Sequence, residues 1–174
     1  MDEVPAADAP TRELDPRELS MTELLVVELT SEETHDLRRR VLRAGTPSDV
    51  VVFAQDADPA TFHLGVRSGA TGQLLAVSTY TPAGTDLRPG AVAWQLRGMA
   101  VDSSLQGRGV GRVMLCAAIE RLRHEGGEVL WANARDSAMA FYERLGMTMV
   151  GPGFTTADTL LPHHRVVLDL APLA

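Results

Sequence analysis

The sequence predicts one α/β domain, of the α+β kind, and three observations predict it. The length, 174 residues, suits a single core with a short appendage. At about 150 residues a chain already buries roughly 68–70% of its unfolded surface, so no disulfide or metal staple is required. Strand and helix patterns alternate through the second half, and a β-hairpin pattern occupies the first. With 45% hydrophobic and 22% charged residues, the chain falls outside disordered, collagen-like and coiled-coil compositions.

Residues 1–20 hold three prolines, six acids and two arginines. They predict a flexible acidic N-terminal extension, with the domain spanning 21–174. Residues 24–29 are rich in Val and Leu and predict a strand. Thr30 and Glu33 match a capping box, so a helix is expected over 32–43, stopped by Gly45 and Pro47. Residues 50–53 fit a short strand or a buried loop. Asp56, Asp58 and Pro59 predict a turn. Residues 61–67 alternate, a Gly-rich turn follows, and 74–81 form the second arm of a hairpin. A Pro/Gly-rich loop fills 82–90. The strand expected over 91–101 contains Gly98, which predicts a bulge or a close backbone approach.

Residues 109–125 carry a wide apolar face at helical spacing, including Val110, Met114, Ala118 and Leu122. Gly126-Gly127 ends that helix, and 129–132 predict a buried strand. Asp136 or Ser137 is expected to cap a second helix, whose apolar stripe is Ala138, Phe141, Tyr142 and Leu145. Strands at 147–150 and 165–170 close the chain.

Net charge is −7, which argues against nucleic acid or an anionic membrane as partner. Residues 1–20 supply −4 of it, counting six acids against two arginines. The acid surplus hints at a cationic substrate, although most of it lies in the extension. The longest apolar runs, such as 114–119, fall far short of the ~18 residues that span a bilayer. One cysteine, Cys116, excludes an internal disulfide and a cysteine-based metal site. The start of the chain lacks the basic and apolar stretches of a signal peptide. Both features predict a cytoplasmic protein. All 16 basic residues are arginine, so lysine-based covalent chemistry is excluded. His163 and His164 are adjacent and would point to opposite faces of a strand, so no metal site is expected.

Chemistry concentrates in residues 96–112, L-R-G-M-A-V-D-S-S-L-Q-G-R-G-V-G-R. A strand ends, a Gly- and Ser-rich turn follows, and a helix begins. Gly107, Gly109 and Gly111 allow a ligand close to the backbone. The first helical N–H groups lack intrahelical partners and sit at the positive end of the helix dipole. Arg108 and Arg112 add charge, so the segment predicts a phosphate or pyrophosphate site. Without lysine it is not a P-loop, and the glycine spacing fails the dinucleotide fingerprint.

The pattern that fits is Q-x-x-G-x-G, with Gln106, Gly109 and Gly111. With A-M-A-F-Y-E-R-L-G-M over 138–147, the segment resembles the GCN5-related N-acetyltransferase (GNAT) family. The two motifs stand in the family's order, about a helix and a strand apart. The resemblance implies a central mixed, mostly antiparallel sheet flanked by helices. It implies an acetyl-coenzyme A-dependent N-acetyltransferase acting on a primary amine of a small molecule or peptide. It also implies that Gln106, Gly107, Arg108, Gly109, Val110, Gly111 and Arg112 cradle the coenzyme A pyrophosphate. Backbone groups of Met99, Ala100 and Val101 would pair with the pantetheine arm, and one N–H would polarise the thioester carbonyl. Tyr142 would protonate the leaving thiolate, where a core tyrosine is the plainer alternative.

The family's asparagine position, seven residues before the tyrosine, is Arg135 here. Asn133 lies two residues earlier, and Ser137 two residues later. These three are taken as cofactor-binding candidates, with a solvated Arg135 as the alternative. No acid stands in 91–101 to serve as general base. Asp102 fits a turn cap, and His63, His163 and His164 fit structural or solvated roles, so a water relay stays open. Trp94 and Gln95 are candidates for the acceptor pocket, Trp94 also for the core. Cys116 is expected to be buried and inert. Acceptor specificity is expected from loops 46–60, 82–90 and 151–163. The partners expected are acetyl-coenzyme A and an amine acceptor, with a homodimer left open. The rival readings are a non-catalytic acyl-coenzyme A-binding module and a generic nucleotide-binding domain.

Overall fold

The computed structural model describes residues 23–170, so the expected extension over 1–20 lies outside the described residues. The elements run β1 (Leu24–Leu29), α1 (Ser31–Leu37), β2 (Phe62–Ser68), β3 (Leu74–Pro82), β4 (Ala93–Val101), α2 (Val110–His124), β5 (Val129–Arg135), α3 (Met139–Arg144), β6 (Thr148–Thr155) and β7 (Pro162–Asp169). The sheet order is β1-β2-β3-β4-β5-β7-β6. Only β4 and β5 pair in parallel; the other neighbours are antiparallel. This is the mixed, mostly antiparallel sheet that was expected.

The start of α1 follows from its sequence. Thr30 Oγ1 accepts the Glu33 N–H, and a Glu33 carboxylate oxygen accepts the Thr30 N–H at 2.8 Å. The helix expected over 32–43 is not uniform, however. After Leu37 it widens into a π-helical turn, Arg38–Leu42, where Arg38 turns wholly inward. Residues 50–53 form no strand. Val51 is buried there, while Val50 and Val52 face solvent.

On one sheet face α2 packs Met114, Leu115, Ala118 and Leu122 against Phe62, Leu64, Val66, Leu96 and Leu130. On the other, Leu37 of α1 joins Leu29, Val77 and Ala100. Cys116 is exposed, contrary to expectation. It stands one helical turn from Arg112 and Glu120, both exposed, and so belongs to the solvent face of α2. The expected side-chain cap of the Tyr142 helix is also absent. A short 3₁₀ turn, Asp136–Ala138, precedes α3, and Asp136 is engaged by His164 Nδ1 at 2.7 Å instead.

The last hairpin is longer than its sequence suggests. Gly151-Pro152-Gly153 looks like a strand breaker, yet β6 runs through it. The register shift between Val150 and Phe154 absorbs it as a bulge. An edge strand tolerates such a proline because its outward N–H needs no partner. Part of the expected 151–163 loop is therefore strand. Among the described residues no helix is long and apolar enough to cross a membrane.

Candidate active site

The site arises where the two parallel strands part. Ala93–Leu96 of β4 pair with Val129–Ala132 of β5, but β4 continues to Val101 and β5 to Arg135. The β4 edge from Arg97 onward that would face β5 has no strand partner. Gly98 begins the separation. It adopts φ +56°, and β4 is bulged between its pairings to Val77 and Thr79. A Cβ at Gly98 would stand 2.6 Å from the Phe53 ring and 3.0 Å from Arg38 Nε. Gly98→Ala should therefore cost about 1–3 kcal/mol through overpacking, checked by urea unfolding. A native-like midpoint would show that Phe53 yields freely.

Two adjoining cavities fill the split. The larger, about 660 Å³, is lined by Met99, Ala100 and Val101 of β4, then Gln106, Gly107, Gly109, Val110, Gly111 and Arg112, and by Ser137, Phe141 and Arg144 opposite. Its volume is that of a small-molecule site. Its lining includes Arg112, Arg135 and Arg144 and no carboxylate. The helix beneath starts on Gly109, left-handed at φ +84° with no side-chain cap, so the first N–H groups of α2 remain for a ligand. Gln106 Nε2 donates to the Val101 carbonyl at 3.2 Å, tying the loop to the end of β4. A Cβ at Gly111 would press on Met99, Phe141 and Val101 at 3.0–3.3 Å. These groups fit an extended thioester with a pyrophosphate: exposed strand edge, anion-binding helix start, arginines and no opposing acid.

The smaller cavity, about 220 Å³, lies on the other side of Tyr142. Arg43, Phe53, Gln95, Arg97, Asn133, Thr156, Asp158 and His163 are among its walls. Leu42, Met99, Arg135, Ala138 and Tyr142 line both cavities. Tyr142 is therefore at the junction. Among the described residues its hydroxyl donates only to Met99 Sδ, at 3.9 Å, a weak thioether acceptor. Burial pushes its pKa up to about 12, so the phenol keeps its proton at neutral pH.

The sequence candidates sort accordingly. Asn133 lines the smaller cavity rather than the larger one. Arg108 lines neither cavity, and Arg135 reaches across to the Leu42 carbonyl at the end of the π turn. Gln95 lines the smaller cavity, whereas Trp94 is buried in the core beside Phe62. Asp102 caps a turn through the Ser104 N–H at 3.1 Å and pairs with Arg40. His63 is buried against Thr79, away from both cavities. His163 Nδ1 lies 2.8 Å from the Leu161 carbonyl, and its ring stacks on Phe154. Loops 46–60 and 151–163 reach the smaller cavity through Phe53 and Thr156–Thr159, but 82–90 contributes nothing. Arg43 and Arg97 went unforeseen. Arg97 carried a signal, as the one charged residue in the strand segment Trp94–Val101.

A family model described as the Acetyltransferase (GNAT) family matches residues 21–147. The chain belongs to the GNAT family of acetyltransferases. By class this GNAT chain is an acetyl-coenzyme A-dependent N-acetyltransferase. It is 29% identical over 129 residues, 74% of its own length and 85% of the relative's, to a Bacillus subtilis protein named "Uncharacterized N-acetyltransferase YitI". It is similar in fold to the ribosomal-protein-S18-alanine N-acetyltransferase of Escherichia coli, with TM-score 0.65 and 21% identity over 87% of this chain and 96% of that one. It is likewise similar to an aminoglycoside 6'-N-acetyltransferase complexed with coenzyme A, with TM-score 0.65 and 14% identity over 86% and 99% of the two chains. At such identities the shared property is the fold.

Proposed function

We propose that this GNAT protein moves an acetyl group from acetyl-coenzyme A directly to a primary amine, with Tyr142 as general acid. The observation that carries this is Tyr142 at the junction of the two cavities, its hydroxyl engaged among the described residues by nothing stronger than the Met99 thioether and so available to a ligand. The larger cavity takes the donor and the smaller one the acceptor. The start of α2, with Arg112 and Arg144, holds the pyrophosphate. The free edge of β4 near Met99 holds the pantetheine amides and offers an N–H to the thioester carbonyl. As the amine bonds to the acetyl carbon and the carbon–sulfur bond breaks, the Tyr142 phenol donates its proton to the departing sulfur. Cys116, exposed on α2 and in neither cavity, favours direct transfer over an acyl-enzyme.

Calorimetric titration tests the donor assignment. Acetyl-coenzyme A should bind saturably and ATP should give no heat. Dephospho-coenzyme A should still bind, because it keeps the pyrophosphate. No saturable binding of acetyl-coenzyme A at millimolar concentration would remove the basis of this reading.

A further inference from the structure

Charge is unevenly distributed around the smaller cavity. Three guanidinium groups line it, those of Arg43, Arg97 and Arg135, against one carboxylate, Asp158. Among the described residues Asp158 pairs only with Arg43, at 3.4 Å, and Arg43 Nε donates to the Val50 carbonyl at 2.6 Å. Arg97 Nη1 donates to the neutral Gln55 side chain at 2.9 Å, and its guanidinium lies 5.2 Å from the Phe53 ring centre. Arg135 donates to a backbone carbonyl. Neither Arg97 nor Arg135 forms an ion pair with a carboxylate among the described residues, although the charge of Asp158 favours the charged form of both and that of Asp56 favours it in Arg97. Both are half-buried, and burial lowers the pKa of each. Clustered, partly desolvated cations repel one another and gain from an incoming anion. The guanidinium fork matches a carboxylate in both shape and charge.

We propose that the acceptor is a small amine bearing its own carboxylate, an amino-acid-like molecule whose acid group is held by Arg97, with Arg43 and Arg135 beside it. The proposal rests on the transferase reading above. It reverses the hint of a cationic substrate drawn from net charge, because among the described residues Asp158 is the one acid that lines this cavity, against three arginines. The cavity, about 220 Å³, is below the roughly 300–1,000 Å³ of drug-sized sites, which suits a small acceptor. Arg135 lines both cavities and Arg97 only this one, so Arg97 discriminates the acceptor from the donor. In the reaction the ammonium first loses a proton to solvent. The neutral nitrogen then bonds to the acetyl carbon, the carbon–sulfur bond breaks as Tyr142 protonates the sulfur, and the second nitrogen proton passes to solvent, from which Tyr142 regains its own. The products are an N-acetyl acid and a free thiol.

The test is thiol release from acetyl-coenzyme A with the common α-amino acids and β-alanine, each beside its primary carboxamide. The best acid should exceed its amide by roughly tenfold or more in kcat/KM, the worth of one charged hydrogen bond. Arg97→Gln should abolish that preference through KM and leave acetyl-coenzyme A affinity as in the native protein, while Arg97→Lys should retain part of it. Titrating the coenzyme A-loaded protein with N-acetylglycine and N-acetylglycinamide measures the same preference without turnover, and the acid alone should bind. Equal behaviour of acid and amide, better use of amides or polyamines, or no binding of either ligand would each overturn the proposal while the donor still binds. Failure of acetyl-coenzyme A itself to bind overturns the transferase reading, and this proposal with it.

Discussion

Tyr142→Phe should lower kcat by roughly a hundredfold or more, the scale of a lost general acid. Acetyl-coenzyme A affinity should stay within about twofold, because the hydroxyl is not what holds the donor. The fold should survive. Among the described residues the hydroxyl makes one weak bond, to Met99 Sδ at 3.9 Å, and a phenyl ring fills the same buried space. Stability should therefore change by less than about 1 kcal/mol. This separation of turnover from binding and stability is the diagnostic feature. Steady-state thiol release, calorimetry and urea unfolding on the same two proteins measure all three. Undiminished turnover in the variant would eliminate Tyr142 as the acid. Donor binding with no turnover on any amine, in the native protein as well, would favour a non-catalytic acyl-coenzyme A-binding module.

The pH profile supplies an independent check. Burial raises the Tyr142 pKa to about 12, so the phenol stays protonated well past the ordinary value of about 10. Proton supply from Tyr142 should not decline between about pH 8 and about pH 10. A rising limb there would report deprotonation of the amine acceptor. A falling limb lost in Tyr142→Phe would mean that the hydroxyl titrates normally and is more solvated than this structure has it.

Asp56→Asn should produce the largest loss of stability, about 3–5 kcal/mol, the cost of stranding one buried charge. Arg38 is completely buried and is held by Asp56 through two bonds, 2.7 and 3.0 Å long. Thr79 Oγ1 and the Val51 carbonyl accept from its Nη2 and Nη1, while its Nε has no hydrogen-bond partner among the described residues. Asp56 also accepts the Phe53 N–H at 2.8 Å. Burial by itself would raise the Asp56 pKa, but Arg38 and that N–H together hold it below the ordinary carboxylate value. Its contribution is thus present above about pH 4 and is lost as pH falls through the lower folded value. Urea unfolding at neutral pH gives the size of the effect. Adding Arg38→Met to Asp56→Asn should recover part of the loss, since the stranded charge is then gone. No recovery would assign the cost to the Phe53 turn instead. That turn matters for the site as well. Phe53 lies 4.1 Å from the Arg38 guanidinium and forms a wall of the smaller cavity, so under the proposed function Asp56→Asn should also raise the KM of the amine.

Local signals determined much of this protein. The Thr30–Glu33 capping box, the helical period after Gly109, the hairpin alternation and the Gly-rich turn after Val101 are each written within a few residues. Propensity and capping act at that range, so these elements and the phosphate-loop candidates were legible without coordinates. Tyr142 and the glycines could be singled out because their motifs are short and contiguous. What the tertiary structure decided was everything set by partners far along the chain. Cys116 faces solvent because the α2 face toward the sheet is narrower than its apolar residues suggest. β6 runs through Gly151-Pro152-Gly153 because its pairing with β7 absorbs a bulge on an open edge. The parting of β4 from β5 depends on where their pairing stops. Arg43, Arg97 and Arg135, separated by tens of residues, converge only because that split brings their elements to one cavity. Net charge is a sum over the whole chain and pointed the other way. The sign of charge at a site depends on which side chains the fold turns toward it, and here the fold turns arginines.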